Sequence, residues 1–247
     1  MTKRRKMALS AVCLLLLAAL VVCALFYTGV WQFNHPAQAV RGVDVSHYQG
    51  EIDWPVLASQ DIQFAFIKAT EGSAYRDAYF QTNWQEAQKA NLRVGAYHFF
   101  SYDSPGADQA RNFIECVPME GTALPPVIDV EFYGGNEKNP PDRASVEPEL
   151  RAMADALKAH YGVSPILYAT EKSYALYIAG AFEDCDIWIR NVLTAPTLSD
   201  GRRWTFWQYS NRMRLEGYAG EEPYIDMNVF YGSQDEFDSY SHKAAQE

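Results

Sequence analysis

Cysteine is scarce in this chain: four occur in 247 residues, and Cys13 and Cys23 lie inside a long apolar run. The other two, Cys116 and Cys185, are too few for a disulfide-stapled scaffold. One disulfide between them and two buried free thiols both fit the sequence. Basic charge is short as well. Four of the 21 Lys and Arg fall in the first six residues, which leaves 17 against 31 Asp and Glu in the rest. A chain so acidic has no basic face for nucleic acid, and none is expected as a partner. No C-x-x-C, H-E-x-x-H, G-x-S-x-G or phosphate-loop pattern occurs, which removes the metal, serine-nucleophile and nucleotide chemistries that those spacings serve. No compact loop of alternating acids offers a calcium site. Neither metal nor other cofactor is expected. Internal repeats and low-complexity blocks are absent.

One long hydrophobic run is present. Lys3, Arg4, Arg5 and Lys6 precede an uncharged stretch from Met7 to Tyr27. As a helix it would span about 31 Å, the thickness of one hydrocarbon core. Basic residues on its N-terminal side hold that end in the cytoplasm and place the remainder outside. The expected layout is a cytoplasmic segment 1–6, a transmembrane helix 7–27, a stalk 28–40, a domain over 41–234 and a polar, frayed tail 235–247. Trp31 and Phe33 would sit at the membrane interface. Fully extended, the stalk would reach about 45 Å. The competing reading is a cleaved signal peptide, with Ala37-Gln38-Ala39 as its small-residue site and a secreted product.

Beyond the stalk, short runs rich in Val, Ile, Phe and Tyr alternate with helical patterns. Strands are expected at 42–46, 64–70, 93–100, 125–131, 165–170, 186–192, 205–210 and 224–230. Apolar residues at three- and four-residue spacing predict helices at 77–90 and 145–161, with a third at 106–116. Strand–helix–strand order implies a parallel sheet with crossovers. About eight strands with fewer helices imply an irregular (β/α) TIM-like barrel. The last strands lie too close in sequence for full crossover helices, so the irregularity belongs at that end.

Two acids share one strand in Val127-Ile128-Asp129-Val130-Glu131. Alternation puts Val127, Asp129 and Glu131 on one face and Ile128 and Val130 on the other. Unpaired burial of two carboxyls is costly, so that face should line a polar cavity. The C-terminal ends of barrel strands form such a cavity. Asp44 and Asp226 sit on other strands among apolar neighbours. Clustered carboxyls push their pKa values apart and keep one protonated beside another that is ionised, the pairing that glycosidic cleavage needs. Lys68 and Arg190 are cations that could pair with these acids. Tyr97 should face the cavity with Phe99, leaving His98 in the core. Tyr168, Trp207 and Tyr209 are expected to form a sugar-stacking wall.

These segments resemble glycoside hydrolase family 25, the Chalaropsis-type lysozymes or N-acetylmuramidases. The resemblance is carried by 42–50 (GVDVSHYQG) with Ile52-Asp53-Trp54, 66–72 (FIKATEG), 95–100 (GAYHFF), Asp129-Val130-Glu131, 207–210 (WQYS) and 226–230 (DMNVF). It runs from about Arg41 to Gly232. It implies an α/β barrel that hydrolyses the β-1,4 bond between N-acetylmuramic acid and N-acetylglucosamine in peptidoglycan. It also implies Glu131 as general acid, Asp129 as its partner at the reacting centre, and Asp44 and Asp226 as further site carboxylates. Tyr97, Tyr168, Trp207 and Lys68 are the expected substrate contacts, and a monomer is expected. Arg190-Asn191 departs from the family's more usual segment after Trp188 and should alter one cavity wall. A wall-binding domain without activity, or a glycosidase for another amino-sugar polymer, are the alternatives.

Overall fold

The computed structural model describes residues 3–29, 34, 36–37 and 40–240. Trp31, Phe33, Gln38 and Ala39 lie outside the described residues, as does the tail from 241. Helix α1 (Lys3–Tyr27) carries no buried residue and is long and apolar enough to cross a membrane.

A single sheet follows. Its strands are β1 (Arg41–Val45), β2 (Phe64–Glu71), β3 (Tyr75–Arg76), β4 (Arg93–Phe99), β5 (Val127–Val130), β6 (Ile166–Thr170), β7 (Ile187–Arg190), β8 (Phe206–Met213) and β9 (Ile225–Phe230). The order β1-β9-β8-β7-β6-β5-β4-β2 closes through a β1–β2 pairing, and β3 is a two-residue flange on β2. Eight strands therefore form the barrel. Neighbours are parallel except at β9, which runs antiparallel to both β8 and β1. The short connection before β9 forces this, because a parallel return needs a crossover of a dozen or more residues.

Helices α2 (Trp54–Ala58), α3 (Phe80–Lys89), α4 (Gly106–Cys116) and α5 (Arg143–Tyr161) serve the earlier crossovers. Helix α5 buries Val146, Leu150, Met153, Ala154, Leu157 and Tyr161 and stops at Gly162, whose φ of 74° gives the left-handed turn glycine tolerates. After β6 comes a three-residue helix α6 (Glu171–Ser173) that passes into a π turn (Tyr174–Ile178). The frayed tail expected from 235 is corrected over its first part. Residues Gln234–Ser239 form helix α7, capped by Ser233, with Phe237 buried. Arg93 ties this helix down by donating to the carbonyls of Phe237 and Tyr240.

Alternation along each strand sorts the side chains into two layers. Val43, Ile67, Ile128, Val130 and Ile189 face outward into the layer beneath the helices. Phe64, Phe66, Val127, Trp188 and Phe206 face inward and plug the lower, N-terminal end of the barrel. Phe66 stacks on Trp188 at 4.4 Å. Glycine makes room for this plug: a Cβ at Gly42 would lie 2.4 Å from the Phe64 ring, and one at Gly95 2.6 Å from Phe66. With aromatics filling the lower half, the barrel interior opens at its upper end.

Cys116 and Cys185 are free thiols, so the unpaired alternative holds. His98 is a core histidine, as alternation requires. Its Nδ1 lies 2.7 Å from the Thr70 hydroxyl and its Nε2 3.0 Å from Gln109 Oε1. Burial lowers its pKa to about 4, so the ring is neutral at physiological pH.

Candidate active site

The upper end holds a cavity of about 510 Å³. Asp44, Asp129, Glu131, Asp226, Lys68, Tyr97 and Tyr168 all line it. Of the four acids and four substrate contacts that the resemblance implies, seven are thus brought together. Trp207 is the exception, and its expected place in a sugar-stacking wall is corrected. On β8 the inward positions are Phe206 and Gln208, so Trp207 and Tyr209 point out into the layer beneath the helices. Trp207 Nε1 donates to the Asn191 carbonyl at 2.8 Å and the ring packs 5.7 Å from Trp204. The cavity's aromatic lining comprises instead Tyr48, Tyr97, Phe99, Tyr168, Trp188 and Tyr224.

Asp129 lies on β5 opposite Phe99 of β4 and Tyr168 of β6. Strand β5 starts only at Val127, because Pro125 and Pro126 have no N–H for the ladder. It ends at Val130, which leaves Glu131 just past the last paired residue, part-exposed at the mouth. Asp129 is buried, and its Oδ1 has no hydrogen-bond partner among the described residues. An orphaned carboxyl oxygen at this depth is costly and calls for a ligand donor.

Asp44 and Asp226 are direct cross-strand partners in the antiparallel β1–β9 pair. Two side-chain amides organise them. Asn228 Nδ2 donates to Asp44 Oδ2 at 2.7 Å, and Gln208 Nε2 donates to Asp44 Oδ2 at 2.9 Å and to Asp226 Oδ2 at 3.1 Å. Each amide is held in place through its oxygen. Trp188 Nε1 donates to Asn228 Oδ1 at 2.8 Å, and the Tyr168 hydroxyl donates to Gln208 Oε1 at 2.9 Å.

All four carboxyls have raised pKa values, each first through burial. For Asp129 the next cause is the charge of Glu131, and for Asp226 it is the charge of Asp44. Both of these are pushed well up, whereas Asp44 and Glu131 rise less. Two cations divide the relief: Arg190 draws down Glu131, Asp44 and Asp226, while Lys68 draws down Asp129. Lys68 itself is 2.7 Å from Glu71 and lies over the Phe99 ring at 5.1 Å. Arg190 lines the cavity wall, where its departure from the usual segment was expected to act.

Gln208 and Asn228 are the site residues that sequence reasoning does not name. Alternation could have found Asn228, two residues from Asp226 on the same face, and Gln208 between two outward aromatics. The Asp44–Asp226 contact had no local signature, since it depends on β9 running antiparallel beside β1.

A stability prediction follows from Asp226. Its folded pKa exceeds the unfolded value of about 3.9. The folded state therefore binds more protons above that pH, and stability falls as pH climbs through the interval. An Asp226→Asn variant keeps a donor toward Asp44 and removes the titration. It should be more stable than the parent at pH 7, with the gain vanishing below about pH 4. Urea midpoints at the two pH values check this, and a less stable variant at pH 7 would contradict it.

The sequence model for glycosyl hydrolases family 25 matches residues 43–218. A solved family 25 glycosyl hydrolase from Bacillus anthracis is 57% identical, with a TM-score of 0.81 over 85% of this chain and 97% of that one. The bacterial lysozyme of Streptomyces coelicolor is 29% identical, with a TM-score of 0.76 over 85% of this chain and 100% of that one. Lysozyme M1 of Streptomyces globisporus is 32% identical over 78% of this chain and 68% of that protein. With the closed barrel and its clustered carboxyls, these likenesses establish that the chain belongs to glycosyl hydrolases family 25.

Proposed function

We propose that the protein is a muramidase that hydrolyses the β-1,4 bond between N-acetylmuramic acid and N-acetylglucosamine in bacterial peptidoglycan, by a retaining, substrate-assisted route. The observation that carries this reading is the buried, unpartnered Oδ1 of Asp129 beside Glu131. The acetamido N–H of the sugar is a donor suited to that oxygen. Once it is bonded there, the ionised form of Asp129 is stabilised, and the proton that the crowded pair retains passes to Glu131. Glu131, now the acid, protonates the glycosidic oxygen as the C1–O bond breaks. The acetamido carbonyl oxygen bonds to C1 from the other face, and Asp129 offsets the positive charge developing on the group. Water then attacks C1 as the bond from C1 to the acetamido oxygen breaks, restoring the neutral acetamido group; the water gives its proton to the Glu131 carboxylate, and the two inversions retain configuration. Asp44 and Asp226 shape the cavity floor, Tyr97 and Tyr168 its wall, and Lys68 steadies the Asp129 charge.

The proposed layout places residues 1–6 in the cytoplasm, 7–27 in the membrane and the barrel from 41 outside, acting as a monomer without cofactor. Helix α1 supports an anchor by its length and its lack of buried residues. Cleavage after Ala39 would give a secreted enzyme instead. Mass spectrometry of fragments released from purified peptidoglycan tests the activity. Reducing muramic acid ends are expected. Reducing glucosamine ends, or no release, would refute the muramidase reading.

A further inference from the structure

The chain enters the barrel at its lower end. Val40 is buried in the cluster that contains Phe64, Phe206 and Phe237, and its carbonyl accepts from Phe230 N at 3.1 Å. A free stalk from a membrane helix to β1 would turn this plugged end toward the bilayer and the cavity away from it. The described positions between α1 and β1 do not behave as a free stalk.

The last residues of α1 are fastened at the opposite, upper end. Arg212 Nη2 donates to the Tyr27 carbonyl at 2.7 Å, and the Tyr224 hydroxyl donates to the same oxygen at 2.6 Å. Arg214 Nε donates to the Thr28 carbonyl at 3.1 Å. These donors from the barrel satisfy carbonyls that a helix C-terminus leaves open. The Arg212 guanidinium lies 5.0 Å from the Tyr27 ring and 4.5 Å from that of Tyr224. Gly29 has φ 71°, and a Cβ there would fall 2.2 Å from the Arg212 carbonyl oxygen. The position therefore suits glycine on both backbone and steric grounds. Farther along, Asn34 is buried and donates from Nδ2 to the Tyr209 carbonyl on β8 at 3.2 Å. Gly29 thus lies at the cavity rim, Asn34 against β8 and Val40 at the lower end. Arg212 and Tyr224, which hold the helix end, also line the cavity.

We propose that the cavity end of the barrel is its membrane-facing surface, so that the enzyme takes glycan held at the lipid headgroups. The reaction that supplies such a substrate is membrane-bound glycan polymerisation, upstream of the finished wall. The inference rests on the reading of α1 as an uncleaved membrane helix. Tyr27 closes the apolar span, which puts Arg212, Arg214 and Tyr224 at the interface, where tyrosine rings and snorkelling cations are favoured. A clasped helix end also removes the reach of about 45 Å that an extended stalk would allow.

Energy transfer on the full chain in phosphatidylcholine–phosphatidylglycerol vesicles tests the orientation, with acceptor dye on the headgroups. The four cysteines are replaced by alanine. A single donor dye is attached through Glu221→Cys on the upper rim or Glu183→Cys at the lower end, both exposed positions. Transfer should be stronger from position 221. Either Gly29→Val or Arg214→Glu should shrink the difference, while turnover of purified peptidoglycan in detergent stays within about twofold of the parent. Equal transfer from the two sites in the parent, or stronger transfer from 183, overturns the proposal. A chain washed from the vesicles by carbonate, or recovered starting at Val40, removes the anchor and the orientation with it. Muramidase activity, read separately from released fragments, is untouched by either result.

Discussion

A Glu131→Gln variant should lose at least about 10²-fold in turnover, the lower scale for removing a general acid. The glutamine amide occupies the same space at the mouth, so the fold and glycan binding should be nearly unchanged. It cannot deliver a proton to the leaving oxygen, and it cannot take one from water afterward. Both halves of the reaction therefore suffer. Burial, with the charge of Asp44, raises the Glu131 pKa against the pull of Arg190. Activity in the parent should accordingly fall on the alkaline side as this proton is lost. The comparison is turbidity release from purified peptidoglycan, alongside a circular dichroism melt. A folded variant with near-parental turnover would remove Glu131 from the mechanism.

Asp129→Asn should be comparably severe, also about 10²-fold or more, because it removes the charge facing the developing positive centre. It differs from Glu131→Gln in a second respect. Asp129 carries the buried oxygen that lacks a partner, and the amide leaves an oxygen acceptor with less negative charge. Loss of kcat should then exceed any rise in KM. The same residue offers a decisive chemical test. If Asp129 attacked C1 itself, a slow fluorosugar substrate would leave a glycosyl ester on it, and peptide mapping would find the adduct. Its presence would sink the substrate-assisted route, in which no bond from protein to sugar forms. The short Asp129–Glu131 spacing along one chain segment favours the acetamido group as nucleophile, since the two carboxyls approach from one strand and not from opposite walls.

Much of this was legible in local sequence because strand periodicity is local. The alternation in 127–131 put Asp129 and Glu131 on the cavity face and Ile128 and Val130 behind it, and the structure keeps that division. The same rule assigned His98 to the core and Tyr97 to the cavity. Misreadings arose where composition was weighed above alternation. Aromatic composition puts Trp207 and Tyr209 in the cavity, because sugars stack on aromatics. Yet the intervening Gln208 is the inward residue, and it carries the hydrogen bonds to Asp44 and Asp226. The tail after 234 is polar in composition, but the buried Phe237, the packed Tyr240 and the Arg93 bonds to their carbonyls together dock a short helix under the barrel.

Local sequence is enough to place the eight barrel strands along the chain, the faces along each, the four acids and the apolar helix that precedes them. Those properties follow from spacing along the chain. Which acids touch depends on how the barrel closes. Asp44 meets Asp226 because barrel closure brings the first and last strands side by side, with β9 reversed between β8 and β1. Only the closed barrel creates the burial that raises their pKa values, since desolvation depends on every wall at once. The attachment of α1 to the cavity rim is of the same kind. Arg212 and Tyr224 lie far from Tyr27 in sequence, and no pattern along the chain could announce that their donors would meet its carbonyl oxygen.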